Sequence, residues 1–349
     1  MRAVVFEQFK SPPVLAERDR PVPGAGEVLL KVAGAGACHS DVAVFHDYDE
    51  SMAPPQLKPS YILGHENSGW IEELGEGVTG LTKGDAFLVY GPIGCGHCPA
   101  CSRGQDTYCH NVADMPYLAS GLGRDGGMAE YMTVPARNLV PLGDADPFAA
   151  APLSDAGLTP YHAIKLSLPK LAGGGRSALV IGLGGLGLVA VQILNAITGA
   201  TVIATDMKPE AMARAEEFGA VTVPGGEGQA ERIRELTGGQ GVTAVFDFVG
   251  VAPTIELAMS VVARQGRVTI VGIAGGAYEW SFYKAPYEVD LTSIYWGTIE
   301  ELHEVAALYR AGKIIPDVEY YGMDDALEAY RKLQAGEISG RAVVTPNGR

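Results

Sequence analysis

The chain has 349 residues, and its 47% apolar and 19% charged residues are typical of a globular protein and not of a disordered one. Its formal net charge of −15 provides no attraction to nucleic-acid phosphates or to anionic lipid, so we expect neither as a partner. The uncharged stretch 178–197 is long enough to span a membrane, but its four glycines divide it into a strand and a helix. We therefore expect a cytoplasmic protein without a membrane span.

The first part of the chain, up to about residue 145, is rich in short strands and turns. Residues 1–10 read as a strand and lack the apolar core of a signal peptide. Strand-like segments with Gly and Pro between them continue to about residue 90, and 129–142 is strand-like again. Between these segments, residues 91–112 form a loop rich in cysteine and glycine. This pattern predicts a β-rich, barrel-like domain.

From about residue 150 onward, strands alternate with helices. The segment 177–182 is continuously apolar, as expected for a strand that is buried on both faces. The segment 209–219 reads as a helix with proline at its start and glycine at its end, and 253–266 reads as another helix before a strand. This βαβ alternation predicts a doubly wound parallel sheet. We predict a first domain over residues 1–150 and a second over residues 151–288. The tail, residues 289–349, is predicted to return to the first domain.

A glycine-rich turn follows the first strand of the alternating region, and an apolar helix follows the turn. Gly182 permits a tight turn, Gly184 lets the backbone approach a pyrophosphate, and Gly187 lets the helix lie close to the sheet. Asp206 ends the next strand, where its carboxylate would bind ribose hydroxyls and repel a 2′-phosphate. This favours NAD over NADP, although Lys208 weakens the preference. The predicted dinucleotide-binding turn is Gly182-Leu183-Gly184-Gly185-Leu186-Gly187.

Four of the five cysteines lie close together in the loop 91–112. The odd total argues against a disulfide framework, and clustered thiols in a reducing compartment more often bind metal. A ferredoxin-type iron–sulfur run has similar early spacing, but its fourth cysteine follows after three residues and not after seven. Four thiolates complete a tetrahedral zinc shell, so this zinc would brace the loop and not catalyse. The predicted ligands are Cys95, Cys98, Cys101 and Cys109.

The fifth cysteine, Cys38, lies in the segment GACHSD, and His65 lies in a G-H-E-x2-G-x5-G-x2-V pattern over residues 64–78. Together with the four-cysteine loop and the glycine turn, these motifs resemble the zinc-dependent medium-chain alcohol dehydrogenase family over essentially the whole chain. The segments LSDAGLTPYHA and YWGT are most similar to those of bacterial NAD-dependent secondary-alcohol dehydrogenases. The resemblance implies an α/β fold with a Rossmann sheet and a GroES-like catalytic domain, NAD(H) and two Zn²⁺ per chain, and a homodimer or homotetramer.

The resemblance also implies a catalytic zinc site. Cys38 and His65 match two of its ligands, and Asp155 stands where many relatives have a second cysteine, as in a bacterial branch of the family. Cys, His and Asp are all acceptable zinc ligands, and three of them leave one coordination position open. Glu66 matches a residue that lies close to the metal and can enter its shell, and Asp41 matches the carboxylate that orients the ligating imidazole.

The mechanism implied by the family is hydride transfer from an alcohol that is bound to zinc, which lowers the pKa of its hydroxyl. Ser40 matches the hydroxyl that begins a proton relay, and His39 matches a contact to the cofactor pyrophosphate. Many relatives end the relay in a histidine that is replaced here by Ala43, and His46 is in the wrong register. The relay therefore ends either in water or at His39.

By resemblance, Tyr295 and Trp296 line the substrate pocket. An aromatic wall suits medium-sized or aryl-bearing secondary alcohols and ketones, although the additional aromatic residues could instead belong to a subunit interface or the domain core. The additional pocket candidates are Ile273, Phe282, Tyr283 and Tyr287, and the additional cofactor contacts are Leu158, Thr159, Val249, Ile273 and Arg341.

A secondary-alcohol dehydrogenase has three alternatives. A zinc-free quinone or enoyl reductase of the same fold would lack both sets of zinc ligands, and a catalytically silent relative would have broken ones. The closest alternative is an aldehyde-, primary-alcohol- or polyol-specific dehydrogenase of the same family. Only the shape of the pocket distinguishes this last alternative.

Overall fold

The computed structural model describes residues 1–349, which divide into two compact units. Unit 1 contains the N-terminal part of the chain and most of the C-terminal tail, and unit 2 contains the middle. None of the helices combines the length and apolar character that crossing a bilayer requires. Unit 1 comprises Met1–Leu158, Thr298–Gly312 and Pro316–Arg349, and unit 2 comprises Thr159–Gly297 and Lys313–Ile315.

The elements are as follows. The strands are β1 (Arg2–Phe6), β2 (Val14–Glu17), β3 (Glu27–Ala37), β4 (Tyr61–Ile62), β5 (Glu66–Leu74), β6 (Ala86–Val89), β7 (Ala119–Ser120), β8 (Gly123–Arg124), β9 (Tyr131–Pro135), β10 (Leu139–Pro141), β11 (Ser177–Ile181), β12 (Thr201–Thr205), β13 (Val221–Thr222), β14 (Val242–Asp247), β15 (Val262–Ile270), β16 (Asp290–Ser293), β17 (Val318–Gly322) and β18 (Arg341–Thr345). The α-helices are α1 (His39–Val42), α2 (Pro147–Ala150), α3 (Leu158–Leu171), α4 (Gly185–Ile197), α5 (Pro209–Glu217), α6 (Gln229–Leu236), α7 (Ala252–Val261), α8 (Ile299–Arg310) and α9 (Ala326–Gln334).

Unit 1 is built around a seven-stranded sheet in the order β10-β6-β5-β3-β18-β17, with β9 also paired to β3. Strand β3 lies at its centre because almost all of its residues are apolar or glycine and buried. It pairs antiparallel with β5 on one side and with β18 on the other. The C-terminal strand β18 therefore completes the sheet that the N-terminal strands begin.

Unit 2 contains a six-stranded parallel sheet in the order β13-β12-β11-β14-β15-β16. Strand β11 is apolar after Ser177 and buried along its whole length, because helices cover both faces of a doubly wound sheet. The strand order reverses between β11 and β14, which is the switch point where such folds bind nucleotides. The predicted parallel sheet is therefore confirmed.

One predicted element boundary is wrong. The sequence analysis extended the helix that begins near residue 253 as far as residue 266, whereas α7 ends at Val261. Strand β15 begins at Val262, which pairs with Val242 of β14. Pairing within the sheet therefore makes residues 262–266 extended, although their sequence pattern also fits a helix. Helix α3, which contains Pro169, was not assigned from the sequence.

Candidate active site

The register of the central sheet of unit 1 brings two motif residues together. Strand β3 ends immediately before Cys38, and β5 begins immediately after His65. Because Gly36 of β3 pairs with Glu66 of β5, the residues that follow and precede these strands meet at the same end of the sheet. Cys38 and His65 are therefore neighbours although 26 residues separate them in the sequence.

Asp155 reaches the same point from a short 3₁₀-helix, Ala151–Ser154. The hydroxyl of Ser154 accepts a hydrogen bond from the backbone N–H of Asn67 at 3.0 Å, which ties this helix to β5. The Oδ2 atom of Asp155 lies 3.9 Å from the Sγ of Cys38 and 3.7 Å from the Nε2 of His65. The structure thus brings the three predicted ligands together.

The donor atoms of this cluster fit a metal ion. One ligand atom from each of Cys38, His65, Glu66 and Asp155 lies within 4.8 Å of the others. Burial and the neighbouring Cys38 and Asp155 charges raise the pKa of Glu66 well above its usual range, despite the opposing charge of Arg341. A thiolate and two carboxylates crowded into a buried space repel one another, and a divalent cation relieves that repulsion.

Asp41 stands behind the His65 imidazole. It is fully buried, and its Oδ1 atom lies 2.9 Å from His65 Nδ1. Its Oδ2 atom accepts the backbone N–H of Cys38 at 3.1 Å, because Asp41 is the third residue of α1 and Cys38 is its N-cap. The contact between Asp41 Oδ1 and His65 Nδ1 directs the opposite ring nitrogen, Nε2, toward Cys38 and Asp155.

Glu66 and Arg341 form a buried ion pair beside Cys38. The pairing of β18 with β3 aligns Ala342 with Ala37 and so positions Arg341 next to the cluster. Burial alone would raise the pKa of the Cys38 thiol, but the Arg341 and His65 charges outweigh burial and lower it. The thiolate that a metal requires is therefore favoured. The predicted contact of Arg341 with the cofactor stays a prediction.

The predicted relay residues occupy different environments. The Oγ of Ser40 lies 3.3 Å from the Nε2 of His65, at the edge of the cluster, and His39 is exposed. Ala43 opens a π-helical turn, and His46 in that turn is exposed, with its Nδ1 atom 2.8 Å from Asp47. His46 therefore faces Asp47 and not Ser40, and the end of the relay stays open between water and His39.

The four cysteines of the loop form a second cluster. Their sulfur atoms lie within 4.8 Å of one another. The backbone N–H of His97 lowers the pKa of the Cys95 thiol to about 6, whereas burial raises that of Cys101 to about 12. Four sulfur atoms that converge on one point suit zinc, which favours the thiolate form of its ligands. The ring of His97 bonds the Cys95 carbonyl at 2.8 Å, as expected for a plain loop residue.

In unit 2, the glycine-rich turn joins β11 to α4. Gly182 has a φ of +88°, a conformation that favours glycine. A Cβ on Gly187 would overlap the Gly182 carbonyl, whereas a Cβ on Gly184 would meet no atom within 4 Å. Asp206 follows β12 and accepts the N–H of Leu183 at 2.6 Å and that of Lys208 at 2.9 Å. The predicted turn and acid are therefore adjacent.

Comparisons with known proteins identify the family. Residues 24–144 match the alcohol dehydrogenase GroES-like domain, and residues 185–311 match the zinc-binding dehydrogenase domain. The NAD-dependent alcohol dehydrogenase of Sulfolobus acidocaldarius is 34% identical, over 99% of this chain and 99% of its own length. The chain belongs to the zinc-binding alcohol dehydrogenase family.

Two solved structures of similar alcohol dehydrogenases and reductases extend this result. The alcohol dehydrogenase of Aeropyrum pernix has a TM-score of 0.89 and 35% identity, covering 99% of this chain and all (100%) of its own. The acetophenone reductase of Geotrichum candidum, solved in complex with NAD, has a TM-score of 0.85 and 32% identity. The match covers 99% of this chain and 97% of the reductase chain. The predicted family, the α/β fold with Rossmann and GroES-like parts, and the oxidoreductase class are confirmed.

The pocket residues predicted for this alcohol dehydrogenase lie in unit 2 and differ in exposure. Trp296 is 5% exposed and packs edge-on against Tyr295, with 5.8 Å between ring centroids. Phe282 packs against Tyr283, which is 93% exposed. Their roles in substrate binding stay predictions, as do those of the exposed Ile273 and Tyr287. The predicted cofactor contacts of the buried Leu158, in unit 1, and Thr159, in unit 2, also stay predictions.

Val249 lies beside the dinucleotide turn of this alcohol dehydrogenase, because a Cβ on Gly182 would meet its side chain at 2.6 Å. Its backbone N–H donates to the buried Asp247 at 2.9 Å, which holds the loop after β14. Val249 is among the residues predicted from the sequence, but Asp247 is not. A buried acid at the end of a parallel strand was the available signal.

The sequence analysis also missed the residues that support the cysteine loop of this alcohol dehydrogenase. Asp106, within the spacer between Cys101 and Cys109, is buried and accepts the N–H of Gly94 at 2.9 Å. Arg137 pairs with the same carboxylate from outside the loop. A carboxylate placed among four cysteines was a signal, whereas the position of Arg137 depends on the fold.

Proposed function

We propose that this protein is an NAD-dependent zinc alcohol dehydrogenase that catalyses reversible hydride transfer between NAD and secondary alcohols or ketones, including aryl-bearing ones. The convergence of Cys38, His65 and Asp155 on one buried point, with Asp41 behind the imidazole, carries the proposal. Three protein donors of these types are the ligand set of a catalytic zinc, because they leave a position for substrate. No observation favours the aldehyde-, primary-alcohol- or polyol-specific alternative.

Some residues of the site bind the metal, and others orient its ligands or transfer the proton. Zinc supplies a Lewis acid for the alcohol oxygen, and NAD supplies the hydride acceptor. Cys38, His65 and Asp155 hold the metal, and Asp41 keeps the imidazole in the required tautomer and orientation. The Ser40 hydroxyl, beside His65, would take up the proton of the alcohol while it passes its own proton to the end of the relay, which is either water or His39. Cys95, Cys98, Cys101 and Cys109 hold a second zinc that braces their loop.

The dinucleotide turn supports NAD as the cofactor. The open space above Gly184 and the start of α4 suit a pyrophosphate, which the N-terminus of a helix stabilises. Asp206 places a carboxylate where a 2′-phosphate would be repelled. We also propose a homodimer or homotetramer in the cytoplasm, on the strength of the family resemblance and the clustered thiols.

Initial rates of NADH formation with primary, secondary and aryl alcohols test the function, alongside the zinc content of the protein. We expect about two zinc ions per chain, faster turnover of secondary than of primary alcohols, loss of activity on chelation, and a preference for NAD over NADP. The proposal fails if no alcohol is oxidised and the protein holds almost no zinc. A preference for NADP would refute the role of Asp206 and NAD as the cofactor, but not the zinc-dependent oxidation of alcohols.

A pair of glycine substitutions tests the dinucleotide turn. Gly184→Ala is expected to leave the melting temperature nearly unchanged but to raise the Kd for NADH about tenfold or more, because its Cβ enters the pyrophosphate space without touching protein. Gly187→Ala is expected to lower the melting temperature, because its Cβ overlaps the Gly182 carbonyl. Fluorescence titration with NADH and thermal denaturation separate the two effects. Equal NADH affinity in Gly184→Ala and the wild type would contradict the assignment.

A further inference from the structure

Tyr330 is a buried tyrosine that reaches the active site from the C-terminal tail. It lies on α9, is 3% exposed, and packs edge-on against Phe45 with ring centroids 5.7 Å apart. Its hydroxyl lies 2.9 Å from the Oδ2 atom of Asp41, 289 residues away in the sequence. An ionised carboxylate only accepts hydrogen bonds, so the tyrosine hydroxyl is the donor.

The hydrogen bonds of Asp41 show what this contact does. Oδ1 contacts Nδ1 of His65, whereas Oδ2 receives both the Cys38 N–H and the Tyr330 O–H. Two donors on Oδ2 fix the rotation of the carboxylate plane. The Cys38 donor belongs to the same short helix as Asp41, so Tyr330 is the anchor that comes from a separate element.

We propose that Tyr330 is a positioning residue for the catalytic metal: its hydroxyl holds the Asp41 carboxylate so that His65 presents Nε2 toward Cys38 and Asp155. The inference rests on the proposed ligand set of Cys38, His65 and Asp155. It makes α9 of the tail a support for the active site and not only part of the unit 1 core. Groups that hydrogen-bond a ligating histidine, as Asp41 does here, typically change metal affinity or activity 10–100-fold when they are removed, and Tyr330 acts through that group.

Tyr330→Phe isolates the hydroxyl, because phenylalanine keeps the ring that packs on Phe45. We expect the variant to hold two zinc ions per chain but to release one of them to a chromogenic chelator about 10–100-fold faster than the wild type. We also expect the visible spectrum of the cobalt-substituted enzyme to shift, because the imidazole changes its orientation. Should Tyr330→Phe not be recovered folded, Tyr330→Met provides the same comparison with an adaptable apolar side chain.

Tyr321→Phe is the matched control. Tyr321 is also buried, lies on β17 of the same tail, and its hydroxyl contacts the Glu319 carboxylate at 3.0 Å. Glu319 belongs to neither cysteine-containing metal cluster, so this variant should release zinc at the wild-type rate. Equal release from Tyr330→Phe and the wild type, or equal acceleration in both variants, would overturn the inference. A wild-type chain that holds zinc only at the four-cysteine site would instead overturn the proposed ligand set, and the inference with it.

Discussion

Asp155→Ala is expected to yield a protein that retains one zinc ion per chain and loses about 100-fold or more of its kcat/KM for secondary alcohols. The aspartate supplies one of the three ligands, and its Oδ2 lies within 4 Å of the other two donor atoms. Alanine leaves only a thiolate and an imidazole, which is one protein ligand fewer than catalytic zinc sites use. Zinc analysis and steady-state kinetics measure the two effects together.

Asp155→Cys is the matched substitution for this test. It introduces the thiolate that many relatives have at this position, and thiolate is a good zinc ligand. We therefore expect two zinc ions per chain and a kcat/KM well above that of Asp155→Ala. The melting temperatures of both variants should stay close to the wild-type value, because the four-cysteine site is intact.

Glu66 offers the one local substitute for Asp155, and it defines the result that would contradict the prediction. Its Oε1 pairs with Arg341, and Oε2 is buried without a hydrogen-bond partner. One of its carboxylate oxygens belongs to the same donor cluster. If Asp155→Ala kept two zinc ions and near-normal kcat/KM, Glu66 would be the third ligand in place of Asp155. The double substitution of Asp155 and Glu66 by alanine would then lose the metal.

The sequence predicted those parts of the active site that short motifs describe. Cys38, His65 and the four loop cysteines lie in contiguous patterns, and the glycine turn sits between a buried strand and an apolar helix. Such patterns are visible locally because each needs only one loop or one strand–helix junction. The family resemblance implied the ligand roles of Cys38, His65 and Asp155 alike. Asp155 has no local signature of its own, because it is an aspartate that directly follows a 3₁₀-helix.

Contacts between distant segments could not be predicted from the sequence. Tyr330 meets Asp41 only because α9 packs beside the N-terminal helix α1, and Arg341 meets Glu66 only because β18 pairs with β3. Pairing registers depend on the whole sheet and not on a local period. The wrong end of α7 has the same origin, since pairing with β14 decides that Val262 is extended.

Cys101→Ser is expected to remove the other zinc ion and to lower the stability of the protein by roughly 3–5 kcal/mol, with a fall in melting temperature of about 10 °C. The loop has almost no apolar core of its own: its buried cluster consists of Cys98, Ala100, Cys101 and Cys109, with Cys95 packed against it. Zinc therefore takes the place of a hydrophobic core here. Thermal denaturation and limited proteolysis within residues 95–111 measure the loss.

Cys38→Ser is the control for this prediction, because it removes a thiol from the other cluster. It should also leave one zinc ion per chain but abolish turnover with little change in melting temperature, since β3, β5 and β18 hold their sheet without the metal. Cys101→Ser should show the opposite pattern, in which stability falls more than the kcat of the remaining folded enzyme. Two zinc ions in Cys101→Ser would mean that the loop zinc does not need Cys101, whereas one zinc ion with an unchanged melting temperature would mean that the loop is held by Asp106 and Arg137, and not by a metal.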